Sequence, residues 1–217
     1  MQEILYSDEH LCIIRKNSGH VVHKTRGAGD SPIILQDLRD QLGQKVYPIH
    51  RLDRGTSGCL IFALSSEVAR LAQDELQKGS SIKKYTSLCR GNLPAEGVYN
   101  RELSNEKKEK QTAITKFRVI QEFQKPQCSL LELEIFTGRK HQIRRHLSFD
   151  AHHIVGDVNY GKGWLNKTFR ENYNFHRMFL HCHFLSITHP ISGERLNIHC
   201  ELDSDLKELL VTLEKDK

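Results

Sequence analysis

The sequence predicts an α+β fold: a single domain with a mixed, largely antiparallel sheet flanked by helices and loops. Three observations carry this prediction. Runs with strand character outnumber runs with helical spacing, and several neighbouring strands are joined by short turns. In the second half, strands and helices do not alternate as a doubly wound parallel sheet would require. At 217 residues the chain is long enough to bury a core without staples.

EILYSDEHLCIIRK reads as two short strands around the polar turn Ser7 to His10. SPIILQDLRDQLG reads as a helix capped by Asp30 or Ser31, with Pro32 in its first turn. Ile34, Leu38 and Leu42 repeat along it, and Gly43 is its left-handed stop. The continuous apolar run CLIFAL is the pattern of a strand covered on both faces. SSEVARLAQDELQKG follows as a helix with Ser65 or Ser66 as cap, Val68, Leu71, Ala72 and Leu76 as buried stripe, and Gly79 as stop. IKKYTSLCRG is a strand.

Residues 94 to 111 carry the weakest structural signal, and NEKKEKQ (Asn105 to Gln111), which has no apolar residue, reads as a solvated loop. Strands resume with TAITKFRVIQEF and CSLLELEIF. TGRKHQIRRHL opens a short helix with Ile143 and Leu147 one turn apart. FLHCHFLSITHP, the turn ISGE and RLNIHC form a hairpin, and SDLKELLVTLEK is an amphipathic helix capped by Ser204.

Composition narrows the function classes. No apolar run approaches the ~18 residues of a membrane-spanning helix, and MQEILYSDEH lacks a signal pattern, so a cytoplasmic protein without membrane association is expected. The six cysteines are scattered without a CxxC pair, as in reduced cytoplasmic proteins. A net charge of +5, with 13 histidines in reserve, suits a polyanionic partner without requiring one. There is no GxxxxGK[ST], strand–GxGxxG–helix or GxSxG pattern, and His141, His146, His152, His153 and His181-Cys182-His183 match no metal-ligand spacing. No metal or nucleotide cofactor is therefore expected.

Two stretches can carry chemistry. In HRLDRGTSG (His50 to Gly58), two glycines and two hydroxyls make a tight loop, and the flanking arginines favour an ionised Asp53. A free aspartate, with a pKa of ~3.9, is a poor general acid at neutral pH, so the role open to Asp53 is that of nucleophile or base. An Asp–Arg pair that merely braces a turn accounts for the same residues. In TGRKHQIRRHL (Thr137 to Leu147), a helix start gathers basic side chains, with His141, Arg144 and Arg145 able to cluster. That stretch is either a phosphate-holding site or a solvated basic face. Lys83-Lys84-Tyr85 is a weaker signal of the same kind.

Taken together, HRLDRGTSG, KKY and TGRKHQIRRHL resemble the RluA family of RNA pseudouridine synthases, in order along nearly the whole chain from KNSGHVVH to FLHCHFLSITHPISGERLNIH. ILYSDEHLCIIRKNSG and LRDQLGQKVYPIHRLDR look most like its TruC branch, which modifies a uridine in the acceptor stem of tRNA. The resemblance implies a catalytic domain spanning residues 1–217, with no appended N-terminal RNA-binding domain. It implies no cofactor, and RNA as partner, tRNA first and ribosomal RNA as the alternative; a monomer is favoured. Asp53 is implied to be the nucleophile, Tyr85 to pack on the target base and serve proton transfer, and Arg144 to pair with the catalytic aspartate. Leu180, His50 and Thr56 are implied to line the substrate pocket. Arg51 is implied to fill the stack left by the extruded base, and Arg54, Arg139, Lys140, His141 and Arg145 to bind RNA. The chain departs from the family pattern at Asn17 and Gly55, each in place of a proline, and Gly55 is expected to leave the catalytic loop freer.

Overall fold

The computed structural model describes residues 1–23 and 29–216. It groups into two compact units, Met1–Lys83 with Cys182–Glu201, and Lys84–His181 with Leu202–Lys217. The first carries β1 (Glu3–Ser7), β2 (Leu11–Lys16), α1 (Ile34–Leu42), β3 (Tyr47–Pro48), β4 (Ser57–Ala63) and α2 (Ser66–Gln77). The chain passes to the second within β5 (Ile82–Arg90), followed by β6 (Glu96–Tyr99), β7 (Leu103–Ser104), β8 (Lys110–Gln111), β9 (Thr115–Gln124) and β10 (Gln127–Ile135). Helices α3 (Gln142–Phe149) and α4 (Gly163–Tyr173) complete that stretch. The chain returns through β11 (Leu180–Thr188) and β12 (Arg195–His199), and α5 (Ser204–Lys215) closes the second unit. The mixed sheet and its helices are those of an α+β fold.

In the first unit the strands lie in the order β1-β2-β4-β11, with β3 on β4 and β12 on β11. The β1–β2, β2–β4, β3–β4 and β11–β12 pairs are antiparallel. Strand β4 is buried at every position, as its unbroken apolar run predicts. Helix α2 covers it with Val68, Ala69 and Ala72, and Ser65 caps that helix by accepting from the Val68 N–H.

Helix α1 departs from expectation at its start. Its N-cap is Ile33, not Asp30 or Ser31, and Pro32 lies outside the helix. The reason is tertiary: the Val21 and Val22 carbonyls accept from the Ile34 and Leu35 N–H groups, so no side-chain cap is needed. Gly43 does close α1 with φ 66°.

The second unit places its strands in the order β5-β10-β9-β6. Its core gathers Phe123, Phe169, Phe179, Leu206 and Leu209 around Leu88 and Val155. Residues 94–111 hold more structure than expected, with β6 pairing β9 and β7 pairing β8. NEKKEKQ is the tip of the β7–β8 hairpin, where the Asn105 side chain accepts from the Lys107 and Glu109 N–H groups. Such a turn needs no apolar residue, which is why composition missed it. Helix α4 was not anticipated, although Leu165 and Phe169 lie one turn apart on its buried face and Asn174 stops it in a left-handed conformation. Helix α5 begins at Ser204 with Asp203 as N-cap, correcting the Ser204 assignment. Arg177 draws the Asp203 carboxylate to 2.6 Å, so that side chain does not cap the helix.

Gly58 begins the close approach of β4 to β11. Its φ is +114°, and a Cβ there would lie 2.2 Å from the Cys182 carbonyl oxygen. Gly43 has a left-handed φ but open space around it. Gly58→Ala should therefore cost roughly 3 kcal/mol or more in urea unfolding, against about 1 kcal/mol for Gly43→Ala. Equal losses would mean that the β4–β11 contact relaxes without penalty.

Candidate active site

The HRLDRGTSG loop leads into β4, which begins at Ser57, and its shape is set by hydrogen bonds to its main chain. The Thr56 N–H donates to the Asp53 carbonyl at 3.0 Å, closing a turn. The next three carbonyls, of Arg54, Gly55 and Thr56, all accept from the segment Lys16–Gly19. Lys16 Nζ donates to Arg54 O at 3.2 Å and to Thr56 O at 2.8 Å, Ser18 Oγ to Gly55 O at 2.9 Å, and the Gly19 N–H to Arg54 O at 2.8 Å. Lys16 also donates to the Asn17 carbonyl at 2.9 Å, and its side chain has 0% exposure. A buried ammonium is costly unless its donors are used, and here three main-chain oxygens accept from it. The loop's order thus comes from a hydrogen-bonded cradle, which offsets the freedom expected from Gly55.

Around that loop, Asp53 is half-buried, Arg51 and Arg54 are exposed, and Thr56 is buried. His50 is held neutral: burial, then the Lys83 cation, push its pKa down to about 3, against a backbone hydrogen bond with Arg51. Its Nε2 is buried and has no hydrogen-bond partner among the described residues. Burial also lowers the Lys83 pKa.

The second unit carries Tyr85, Arg144 and Leu180, all buried, and Arg139, Lys140, His141 and Arg145 at its surface or partly covered. Helix α3 begins only at Gln142, so Arg139 to His141 form the turn ahead of it, with His141 at φ 54°. Gln142 locks that turn. Its Oε1 accepts from the Arg139 N–H and Thr137 Oγ1, and its Nε2 donates to Ile114 O and Thr115 Oγ1. The basic side chains fan toward the β7–β8 hairpin. Arg139 Nε donates to Thr112 O, Arg145 Nη1 to Ser104 O, and Lys140 pairs with Glu106 at 2.7 Å. His146, fully buried, bonds Thr115 Oγ1 and the Arg101 carbonyl, so it is a satisfied core histidine.

Arg144 has a partner that motif reading did not name. Its Nε and Nη2 donate to the two carboxylate oxygens of Asp157 at 2.7 and 2.8 Å, and Asp157 is 1% exposed. Oδ1 of Asp157 also accepts from the Asn159 and Tyr160 N–H groups, and the Arg144 guanidinium lies 5.0 Å from the Tyr160 ring centroid. Burial by itself would raise the Asp157 pKa; the hydrogen bonds and charge of Arg144, with those backbone donors, outweigh it and leave it lowered. The sequence signal was a lone carboxylate between glycines in GDVNYG. Lys16 had a weaker one, a lysine two residues past the apolar run LCII. Among the described residues no three His, Cys, Asp or Glu side chains are grouped to hold a metal.

A family model described as RNA pseudouridylate synthase matches residues 10–149. The chain is similar to tRNA pseudouridine synthase C of Vibrio parahaemolyticus, with 36% identity over 99% of this chain and 96% of the relative. The protein of the same name from Haemophilus influenzae is also 36% identical, over 97% of each chain. Among solved structures, human RNA Pseudouridylate Synthase Domain Containing 4 superposes with a TM-score of 0.77 at 25% identity, covering 98% of this chain and 93% of that one. Human RNA Pseudouridylate Synthase Domain Containing 1 shares the fold, with a TM-score of 0.73 at 21% identity over 99% and 95% of the two chains.

Lys16→Met keeps the aliphatic stem and removes one donor from each of three carbonyls, Arg54 O keeping the Gly19 N–H, so urea unfolding should show a loss of roughly 2 kcal/mol. A loss within about 0.5 kcal/mol would mean that other donors replace the ammonium. Asp157→Asn removes a carboxylate charge from a buried guanidinium and should cost about 3–5 kcal/mol at neutral pH. Because the folded pKa of Asp157 lies below its unfolded value, this stabilisation is present above the ordinary carboxylate range and is lost as pH falls through the folded pKa. The stability gap between wild type and variant should thus hold near neutrality and narrow in acid. A gap unchanged down to acid unfolding would rule out the carboxylate charge as its source.

Proposed function

The chain belongs to the RluA-type RNA pseudouridylate synthase family and is an RNA-modifying isomerase; on that premise we propose that its target uridine lies in tRNA, in the acceptor stem, with Asp53 as the nucleophile. The observation that carries the second part is the cradle under residues 54–56, which fixes the backbone next to a half-buried carboxylate. The relatives named for tRNA, matched over nearly their full length, support tRNA as the substrate.

The chemistry balances within the substrate. The N1–C1′ bond of uridine breaks, the uracil rotates, C5 bonds to C1′, the C5 proton leaves and N1 gains one. No electrons are exchanged with a second reactant, so the reaction calls for no redox or group-transfer cofactor. An ionised Asp53 initiates it, by attack on C1′ or by removal of the 2′ proton. Arg144, with two of its five N–H groups on Asp157, is assigned to direct the Asp53 carboxylate with others. Asp157 is then a positioning residue. Tyr85 packs on the base and serves the proton transfer at C5, and Leu180 and Thr56 line the pocket. The neutral His50 offers Nε2 as an acceptor for a uracil N–H.

A uridine inside a helix must leave its stack at a cost of a few kcal/mol before this chemistry can begin. Arg51 fills the vacated stack, while Arg54, Arg139, Lys140, His141 and Arg145 hold the displaced strand through phosphate.

Asp53→Asn should abolish pseudouridine formation while RNA affinity stays within about two-fold, since no positive charge is lost. Substantial residual turnover would remove Asp53 from the nucleophile's role. Carbodiimide mapping of unmodified tRNA and ribosomal RNA transcripts tests the substrate. One new site in the acceptor stem supports tRNA, and a site only in ribosomal RNA overturns it.

A further inference from the structure

The second unit exposes large aromatic side chains that its own core does not use. Trp164, in the first turn of α4, is 57% exposed, and the Arg90 guanidinium lies 5.4 Å from its ring centroid. Phe149, at the end of α3, is also exposed, with the Arg101 guanidinium 4.5 Å from its ring. The two pairs belong to one patch. Arg90 Nη1 donates to the carbonyl of Ala151, two residues beyond Phe149, and His152 Nδ1 donates to the Arg90 carbonyl at 3.0 Å. Lys162, two residues before Trp164, joins them: with burial as the leading cause, it and Arg90 both lower the pKa of His153. Asp150, next to Phe149 in the sequence, is also exposed.

The patch is rigidly tied to Asp157. Asn166 Nδ2 donates to the Asp157 carbonyl at 2.8 Å, and a Cβ at Gly161 would lie 2.0 Å from that oxygen. The segment that leads into Trp164 is therefore packed on the residue that holds Arg144.

An exposed aromatic plane flanked by guanidinium and ammonium groups is complementary to a molecule with both π faces and negative charge. Unpaired nucleotides have both. We propose that Trp164 with Arg90, and Phe149 with Arg101, form a stacking surface for unpaired bases of the RNA substrate outside the uridine being isomerised, with Lys162 on phosphate. This rests on the chain acting on RNA, and the test separates the two.

Trp164 is the single tryptophan of the chain, so its emission reports on this patch alone. Unmodified tRNA transcript is titrated into the full chain while emission, RNA affinity and pseudouridine formation are followed together. Base stacking should quench Trp164, Trp164→Ala should weaken RNA binding about ten-fold, and Trp164→Phe should weaken it much less. In turnover the loss in Trp164→Ala should appear chiefly as a raised RNA concentration for half-maximal rate. RNA that is bound and isomerised with Trp164 emission unchanged, and with wild-type affinity in Trp164→Ala, would overturn the stacking surface and leave the pseudouridine reading standing. Quenching by RNA without any pseudouridine would do the reverse. Because the ring is exposed, its removal tests contact rather than folding.

Discussion

Beneath the HRLDRGTSG loop a lysine side chain with no exposed surface spreads its ammonium over three main-chain carbonyls, and the order of residues 54–56 follows from that arrangement. An ammonium removed from water must be compensated by acceptors, and carbonyls at 2.8 to 3.2 Å supply them. The compensation works in both directions. The lysine is tolerated because the loop turns its oxygens inward, and the loop holds that turn because the lysine is there. Ser18 Oγ and the Gly19 N–H extend the cradle, so the KNSG segment and the HRLDRGTSG loop form one hydrogen-bonded unit although they lie far apart in sequence.

A second buried charge organises the other unit. Arg144 and Asp157 meet through two parallel hydrogen bonds, and Oδ1 of Asp157 accepts further from the Asn159 and Tyr160 N–H groups. A buried ion pair adds little stability over an apolar pair of the same shape, but it defines direction. Here the direction is that of a guanidinium plane, fixed along one edge by a carboxylate, with the guanidinium carbon 5.0 Å from the centroid of the Tyr160 ring. Through Asn166 and Gly161 the same aspartate anchors the start of α4, which carries Trp164 to the surface. Chemistry and RNA docking, on the functional reading argued above, thus share one support.

Much of the architecture was legible because its causes are local. The apolar run CLIFAL became a fully buried strand, Gly43 and Gly79 ended their helices with positive φ, and Ser65 capped α2. Local signals also failed in recognisable ways. Asp30 and Ser31 are good capping residues, but α1 draws its first acceptors from Val21 and Val22. Asp203 displaces Ser204 as the cap of α5, and its carboxylate is drawn to Arg177. The NEKKEKQ tip looked unstructured because a hairpin held by an asparagine side chain needs no hydrophobic residue.

The sequence by itself determined the family, the α+β class and the residues offered for catalysis, since those rest on residue types at fixed spacing in HRLDRGTSG, KKY and TGRKHQIRRHL. Only the tertiary structure decided what holds them. Lys16 is an ordinary basic residue until the β2–β4 register sets it opposite Gly58. Asp157 is an ordinary turn aspartate until α3 lays Arg144 against it. The physical reason is that burial sets the worth of a charge, and burial is a property of the packed chain. A carboxylate or ammonium that costs little in water becomes an organising constraint once its partners alone can satisfy it.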